Sequence, residues 1–363
     1  MKLLVDMGHP AHVHFFKNMI WNLEDRGHEV KVTARNKEVT LQLLDKYGLE
    51  YEMTGEIRNS MFGKSLDLLR KDYRMYRTAK KFKADILTGI CNPYVVHAGK
   101  LAGRPSVTFT DTEYVKIAGR LTFPYTDTIC TPSCFREELD PKKHVRYNSY
   151  HELAYLHPNH FKPDPAVLDE LGLSRSDRFI VLRFISWGAA HDTNLRGIDK
   201  GTEMSVVKSL ERYGRVFITS ERKLGRKLEA YRITTSPEKI HSLLSYAQMY
   251  IGEGATMATE SAVLGTPAIH IEAATGEEPC AAGIFMGNFI ELRDKYGMLY
   301  TYQDQNEALA KATEILRNRK SKTGWKKKRD MLLKDKIDAS KWMTEFIENY
   351  PQSFNDYMRG VRA

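Results

Sequence analysis

Cysteine is scarce in this chain, with four residues in 363, at Cys91, Cys130, Cys134 and Cys280. They are scattered, and the one close pair, Cys130 and Cys134, has no companion cluster to complete a zinc site. A disulfide scaffold is thereby excluded, and reduced thiols in a cytoplasmic protein are expected. Long apolar runs are lacking too: no stretch approaches the roughly 18–20 consecutive apolar residues of a membrane-spanning helix. The opening MKLLVDMGHP reaches a Gly-His-Pro turn too early for a secretory leader and reads as a buried first strand. Internal repeats and recognised nucleic-acid-binding motifs are absent. No Asp-x-Asp pair of the kind that suggests a bound divalent metal occurs either.

What is present is an ordinary globular composition, 42% hydrophobic and 28% charged. A chain of 363 residues suits two domains of roughly 150–180 residues better than one core. The net charge of +9 argues for an anionic partner without choosing among nucleic acid, anionic lipid and a phosphorylated small molecule. Two basic clusters carry much of it. One runs through Arg58, Lys64, Arg70, Lys71, Arg74, Arg77, Lys80, Lys81 and Lys83. The other holds Arg317, Arg319, Lys320, Lys322, Lys326, Lys327, Lys328 and Arg329 with no acid among them.

Strands and helices alternate along both halves. KLLVDM reads as a strand, followed by a helix with Phe15, Phe16, Met19, Ile20 and Leu23 at helical spacing. RGHEVKVTAR, ADILTGI and PSVTFTD supply further strands, separated by helices that include the basic amphipathic stretch Lys64 to Phe82. Parallel strands need such crossovers, so the fold class is α/β and doubly wound. A proline-bearing connector, YHELAYLHPNHFKPDPAVLDELGL, precedes a second α/β series that begins at RFIVLRFI.

The segment 250–272, YIGEGATMATESAVLGTPAIHIE, holds the densest chemistry. A buried strand delivers the chain into a loop with Gly252 and Gly254, and a helix opens near Thr256. That corner turns backbone N–H groups and the positive end of a helix dipole toward an anion. Thr256 and Thr259 can add hydroxyl donors, and Glu260, further into the helix, can accept from a sugar diol. Gly265 and Pro267 end the helix.

This string resembles the C-terminal-domain signature of GT-B enzymes. Those include the glycosyltransferase that completes lipid II and the non-hydrolysing UDP-N-acetylglucosamine 2-epimerases. The resemblance implies two Rossmann-like domains facing across a cleft. Residues 1–155 would form the acceptor-side domain, 156–340 the nucleotide-sugar domain, and 341–363 a C-terminal helix packed back on the first. It implies diphosphate binding at Gly254 and Thr256 and ribose binding at Glu260, with Gly252 and Thr259 as the further donor-site candidates read from the loop and helix themselves. In RFISWGAAHD, the loop after the first strand of the second domain, Arg183, Ser186, Gly188 and His191 stand where such enzymes contact nucleotide or phosphate.

The first turn, MGHPAHVHFFKNM, resembles the first loop of the lipid II glycosyltransferase, with His12 matching its histidine. His12 would serve as base or as a cationic clamp, while His9 and His14 are acceptor-side candidates. ADILTGICNPYVVHAGKLAGRPSVTFTDTE resembles the same enzyme's strand–helix–strand unit. Its Asp111 and Glu113 would follow a strand into the site, either acting as general base, and Asn92 and His97 are weaker acceptor-side candidates. Taken over both halves, the sequence resembles domain-of-unknown-function family 354, a group of predicted glycosyltransferases. GHPAHVHFFKN, TDTE, YHELAYLHP and GEGATMATESAVLGTP carry that match.

The leading expectation is therefore a metal-independent glycosyltransferase with no cofactor beyond its donor. It would move a sugar from a nucleotide sugar, a UDP-sugar above others, to a glycan or lipid-linked acceptor. The basic Lys64–Lys83 helix, preceded by Met61 and Phe62, would hold it peripherally at the inner face of an anionic membrane. The alternatives are a UDP-N-acetylglucosamine 2-epimerase-like enzyme and a non-enzymatic nucleic-acid- or anion-binding protein, whose signature would be salt-sensitive binding.

Overall fold

The computed structural model describes residues 1–54, 64–113, 116–186, 195–199, 201–274 and 285–360. The chain divides into two compact units: Met1–His160 together with Ile337–Ala363, and Phe161–Lys336.

The first unit is built on seven strands: β1 (Lys2–Met7), β2 (Glu29–Ala34), β3 (Tyr51–Met53), β4 (Ile86–Ile90), β5 (Ser106–Phe109), β6 (Thr128–Pro132) and β7 (His144–Tyr147). They lie in the order β3-β2-β1-β4-β5-β6-β7, with every neighbouring pair parallel. The crossovers include α1 (Pro10–Asp25), α2 (Thr40–Lys46), α3 (Lys64–Phe82), α4 (Pro93–Ala102) and α5 (Lys116–Thr122), and α6 (Leu153–Leu156) follows β7. Leu3, Leu4, Val5 and Met7 are all fully buried, as a parallel strand covered on both faces requires. The run LLV at 3–5 is therefore apolar without alternation. On α1, Phe15, Phe16, Met19, Ile20 and Leu23 supply the facing stripe.

Two C-terminal helices, Ala339–Glu348 and Gln352–Met358, complete this unit. Ser340 donates to the Ala154 carbonyl at 2.6 Å, Asn22 to Thr344 at 3.2 Å, and Trp342 stacks on Tyr147 with ring centres 4.7 Å apart. The chain crosses at 160/161 and 336/337 rather than at 155/156 and 340/341. Local bonds explain the shift. Ile337 pairs with Asn148 and Ser149, and Asp338 accepts from Asn159 and lies 2.9 Å from His160.

The second unit contains α7 (Ala166–Asp169), β8 (Phe179–Phe184), β9 (Leu195–Arg196), α8 (Glu203–Glu211), β10 (Arg215–Ser220), α9 (Arg226–Glu229), α10 (Ile240–Tyr246), β11 (Met249–Gly252), α11 (Ala255–Val263), β12 (Ala268–Ile271), β13 (Ala273–Ala274) and β14 (Leu299–Tyr302). Its parallel sheet runs β10-β8-β11-β12-β14, and β9 and β13 form a separate antiparallel pair. Helices Gln305–Arg317 and Ser321–Asp335 follow.

The second basic cluster is partly internal. Lys322 donates to the Ala247 carbonyl at 2.7 Å and to Thr266, Lys328 donates to the Gly297 carbonyl, and Arg329 packs beside Gly265. These three side chains tie the last helices to the connections that lead into β11, β12 and β14 rather than offering a uniform basic face. Cys91, Cys130 and Cys134 are free thiols.

Candidate functional site

The second unit's candidate site grows from the end of β11. Gly252 is paired with Arg183 of β8, and a Cβ there would come within 2.5 Å of the Arg183 carbonyl oxygen, so the strands meet this closely only with glycine. Glu253 is buried, and its carboxylate accepts the N–H of Ile185 at 2.7 Å and of Ile198 at 2.8 Å, pinning two loop segments to the corner. Gly254 caps α11 without a side-chain bond. The helical ladder begins with Ala258 donating to the Gly254 carbonyl, so the N–H groups of Ala255, Thr256 and Met257 lie ahead of it.

The Arg183 side chain reaches the same corner. A Cβ on Gly254 would sit 3.0 Å from its Nε, while its terminal nitrogens donate to Thr219 at 3.0 Å and to Glu221. The buried Tyr250 hydroxyl donates to the Gly254 carbonyl at 2.9 Å and accepts from the Gly254 N–H at 3.2 Å. Burial holds that phenol above its ordinary pKa despite the nearby Arg183, so it stays protonated. Amides ahead of a helix, a guanidinium and a helix dipole together can take a diphosphate.

Thr256 is exposed at the start of α11, but Thr259 is turned inward and donates to the Ala255 carbonyl at 3.2 Å. One turn into the helix, its hydroxyl is engaged by the helix's own backbone rather than turned to the corner. Glu260 is buried, and its Oε1 lies 2.9 Å from Nε2 of His241 on α10. Ser186 is exposed and donates through its N–H and hydroxyl to Glu221. Gly188 and His191 lie outside the described residues, as do Met61 and Phe62.

In the first unit, polar residues collect at the carboxyl edge of the sheet, where α/β sites form. Asp6, near the end of β1, accepts from Thr33 at 2.8 Å, from Arg35 at 3.4 Å and from Asn92. Burial raises its carboxyl pKa, against the lowering pull of Arg35, Thr33 and Asn92. The Arg35 guanidinium fills the space that a side chain at Gly8 would need.

His12 is half-buried, and its Nδ1 accepts the Gly8 N–H at 3.3 Å. Burial, then the charges of His9, Arg35, His151 and Lys37, hold its pKa well below the usual histidine value. Its hydrogen-bond pattern places the proton of a neutral ring on Nε2, which makes that nitrogen a donor.

Asp111, just after β5, lies 3.2 Å from Nδ1 of His151, a residue not singled out from the sequence. His151 is buried, with the Phe15 ring centre 4.2 Å away and Tyr147 parallel to it at 6.5 Å. Its Nε2 has no hydrogen-bond partner among the described residues. Burial lowers its pKa and Asp111 opposes that shift. A neutral imidazole with Nδ1–H on a carboxylate and an unpartnered Nε2 has the pairing of a general base, although that nitrogen is covered by its neighbours.

The remaining candidates have partners within the first unit. Glu113 is buried and accepts the Arg136 N–H at 3.2 Å. Asn92 caps α4 through the Tyr94 N–H and donates to Asp6. His97 lies 2.9 Å from Asp72 of α3 and 3.1 Å from the Leu121 carbonyl, and it joins none of the Asp6, His12 or Asp111 contacts. His9 caps α1 by accepting the Ala11 N–H, and His14 is packed in the core against Tyr155 and Tyr47. Each of these three histidines meets a partner that a one-dimensional pattern cannot reveal. Among the described residues no group of three His, Cys, Asp or Glu is placed to hold a metal ion, and no helix is long and apolar enough to cross a membrane.

A family model described as "Protein of unknown function (DUF354)" matches residues 1–338. The chain belongs to the DUF354 family. An uncharacterised protein of Methanocaldococcus jannaschii is 22% identical over 284 residues, covering 73% of this DUF354 chain and 80% of that protein. Among solved structures, a putative UDP-N-acetylglucosamine 2-epimerase from Listeria monocytogenes superposes with TM-score 0.63 at 11% identity, over 99% of this chain and 97% of its own. The spinosyn rhamnosyltransferase SpnG complexed with thymidine diphosphate gives TM-score 0.58 at 16% identity, over 96% and 100%. At these identities the likeness shows the fold, and this DUF354 member has the GT-B glycosyltransferase fold.

Proposed function

We propose that this protein is a glycosyltransferase that uses a nucleotide sugar, a UDP-sugar above others, as donor. The observation that carries the reading is the Gly252-Glu253-Gly254 corner, where the amino end of α11 and the Arg183 side chain meet. The diphosphate binds these amides and the guanidinium, which offset the charge that builds on the leaving group. The ribose hydroxyls donate to Glu260. The acceptor hydroxyl gives its proton to the Asp111–His151 pair, which requires the side chains that cover His151 Nε2 to part, and Asp111 stabilises the imidazolium that results. The freed oxygen attacks the anomeric carbon, the bond from that carbon to the phosphate oxygen breaks, and the nucleoside diphosphate leaves. The acceptor is a glycan or a lipid-linked sugar. The second class supports peripheral docking on anionic membrane through α3, whose Leu69 and Tyr73 are exposed beside Arg70, Arg74, Arg77, Lys80 and Lys81.

The test is a thermal-shift panel of UDP, GDP, CDP and ADP with their sugars, run on the wild type, Arg183→Ala and Glu260→Ala. A ligand that binds only the folded state raises the melting temperature by mass action. One nucleotide sugar should stabilise the wild type, with the shift reduced in both variants. No shift at millimolar ligand would end the proposal. Epimerisation at the sugar's C2 is the second reading, favoured by the fold shared with the Listeria protein. Product analysis separates the two, since transfer releases the nucleoside diphosphate and epimerisation returns an isomeric nucleotide sugar.

A further inference from the structure

Glu221 is the first residue past β10, whose Thr219 and Ser220 pair with Arg183 and Phe184 of β8, so the acid stands at the carboxyl edge of the second sheet. Its N–H donates to the Phe184 carbonyl at 3.2 Å and carries that pairing one residue further. One carboxylate oxygen accepts from the Arg183 guanidinium. The other accepts the Ser186 N–H at 3.2 Å and the Ser186 hydroxyl at 3.3 Å. The next residue, Arg222, is engaged elsewhere, by Glu203 at 3.4 Å and by the Phe184 ring, whose centre is 5.0 Å away. The Arg183 guanidinium also borders the Gly254 corner, since a Cβ on Gly254 would lie 3.0 Å from its Nε. A guanidinium, a backbone N–H and a hydroxyl converging on one anionic group form a donor set that suits a phosphate. Here the anion is the chain's own carboxylate.

We infer that Glu221 is a resident counter-ion that a nucleoside diphosphate must displace to reach Arg183 and Ser186. While it stands there it holds the Arg183 guanidinium and both donors of Ser186, and its departure frees them together. This rests on the donor-site reading above. The carboxylate and the diphosphate repel each other and contest the same donors, so the protein's own acid holds nucleotide affinity below what those donors could give. The diphosphate prevails because it brings more charge and more acceptor oxygens. Glu221 returns to the donors as the nucleoside diphosphate leaves. The Arg183 and Glu221 side chains are 17% and 26% exposed, so solvent screening discounts the pair, and removing the carboxylate should raise affinity by roughly 3- to 30-fold. The direction of the effect defines the role. A residue that only braces the site weakens binding when it is removed, whereas a displaced counter-ion strengthens it.

The experiment is calorimetric titration of the full chain with UDP, GDP, ADP and CDP. It is run on the wild type, on Glu221→Gln, which keeps the shape and removes the charge, and on Glu221→Ala, which removes the acceptor altogether. Arg183→Ala is titrated with and without the glutamine change. The nucleoside diphosphate that the wild type prefers should bind both single Glu221 variants roughly 3- to 30-fold more tightly. On the Arg183→Ala background most of that gain should be lost, because the contested guanidinium is gone. Melting temperatures without ligand should be equal or lower in the Glu221 variants, opposite in direction to the affinity. The same curves show whether each variant is folded, and Glu221→Ala carries the test if Glu221→Gln is not. Folded Glu221 variants that bind the diphosphate no more tightly than the wild type overturn the inference while leaving the donor site standing. So does a gain that is undiminished without Arg183. Failure of the wild type and both Glu221 variants to bind any nucleoside diphosphate at millimolar concentration fails the donor-site reading itself, and the role of Glu221 falls with it.

Discussion

Glu253 offers a test that depends on the fold rather than on any substrate. Its carboxylate accepts two backbone N–H groups, Ile185 at 2.7 Å and Ile198 at 2.8 Å, and the residue is 1% exposed. A hydrogen bond to a charged group contributes about 1.5–3 kcal/mol net, so Glu253→Ala, which leaves two donors without their acceptor, should cost about 3–6 kcal/mol. Glu253→Gln keeps the shape and one acceptor but turns an amide N–H toward a second N–H, and should cost about half as much. For a domain of this size each kcal/mol lowers the melting temperature by about 2–4 °C. Scanning calorimetry should therefore find the second unit's transition lowered by about 6–24 °C in the alanine variant and by an intermediate amount in the glutamine variant. Gly197 sharpens the prediction, because a Cβ there would overlap the Glu253 carboxylate, and Gly197→Ala should mimic part of the loss. A Glu253→Ala protein that melts within 2 °C of the wild type would refute the claim that this carboxylate holds the loops around Gly254.

Three further expectations follow from the same geometry. In a nucleoside-diphosphate release assay, His151→Asn and Asp111→Asn should each slow turnover by roughly 10²–10⁴-fold while leaving nucleotide affinity unchanged, since only proton transfer is removed. His151 acts deprotonated, and its pKa is lowered, so wild-type activity should hold from neutral pH down past the ordinary histidine range and fall only below it. An acid limb that is unchanged in His151→Asn would exclude it as the base. Burial pushes His270 down to about 4, so the folded chain binds fewer protons there than the unfolded chain. Its share of stability is present above pH ~6.5 and lost as pH falls toward 4, roughly 3 kcal/mol in all. Urea midpoints at pH 7 and 4.5 should differ less in His270→Gln than in the wild type, and an equal difference would contradict this. Replacing Arg70, Arg74 and Arg77 together by Glu should abolish co-sedimentation with phosphatidylserine vesicles, at about 1 kcal/mol per basic residue. Wild-type protein that stays in the supernatant at low salt would remove membrane docking through α3.

The alternation of strand and helix, the continuous apolar runs LLV at 3–5 and FIVL at 179–182 and the glycine-bounded corner at 252–254 were legible along the chain, because each depends on neighbours within one or two turns. His9 and Asn92 show the limit of that reading. Both stand next to a proline at a helix start, which is the place of a cap, yet their ring and amide chemistry suggested a site. The basic run at 317–329 shows the same limit. Charge can be counted in a sequence, whereas the direction of Lys322 and Arg329 depends on which carbonyl ends and glycines the last helices cover.

The sequence by itself determined the α/β class, the family resemblance and the places where strands hand over to helices, since hydrophobic periodicity and turn chemistry are local. Only the tertiary structure decided which polar groups are partners. Asp111 meets His151 because the sheet order sets β5 and β7 on either side of β6, and Glu260 meets His241 because α10 and α11 flank the same strand, β11. In both pairs a carboxylate and an imidazole distant in sequence are buried together. A buried carboxylate needs a partner wherever it stands, but its identity is set by the packing of elements whose order in space no stretch of sequence specifies.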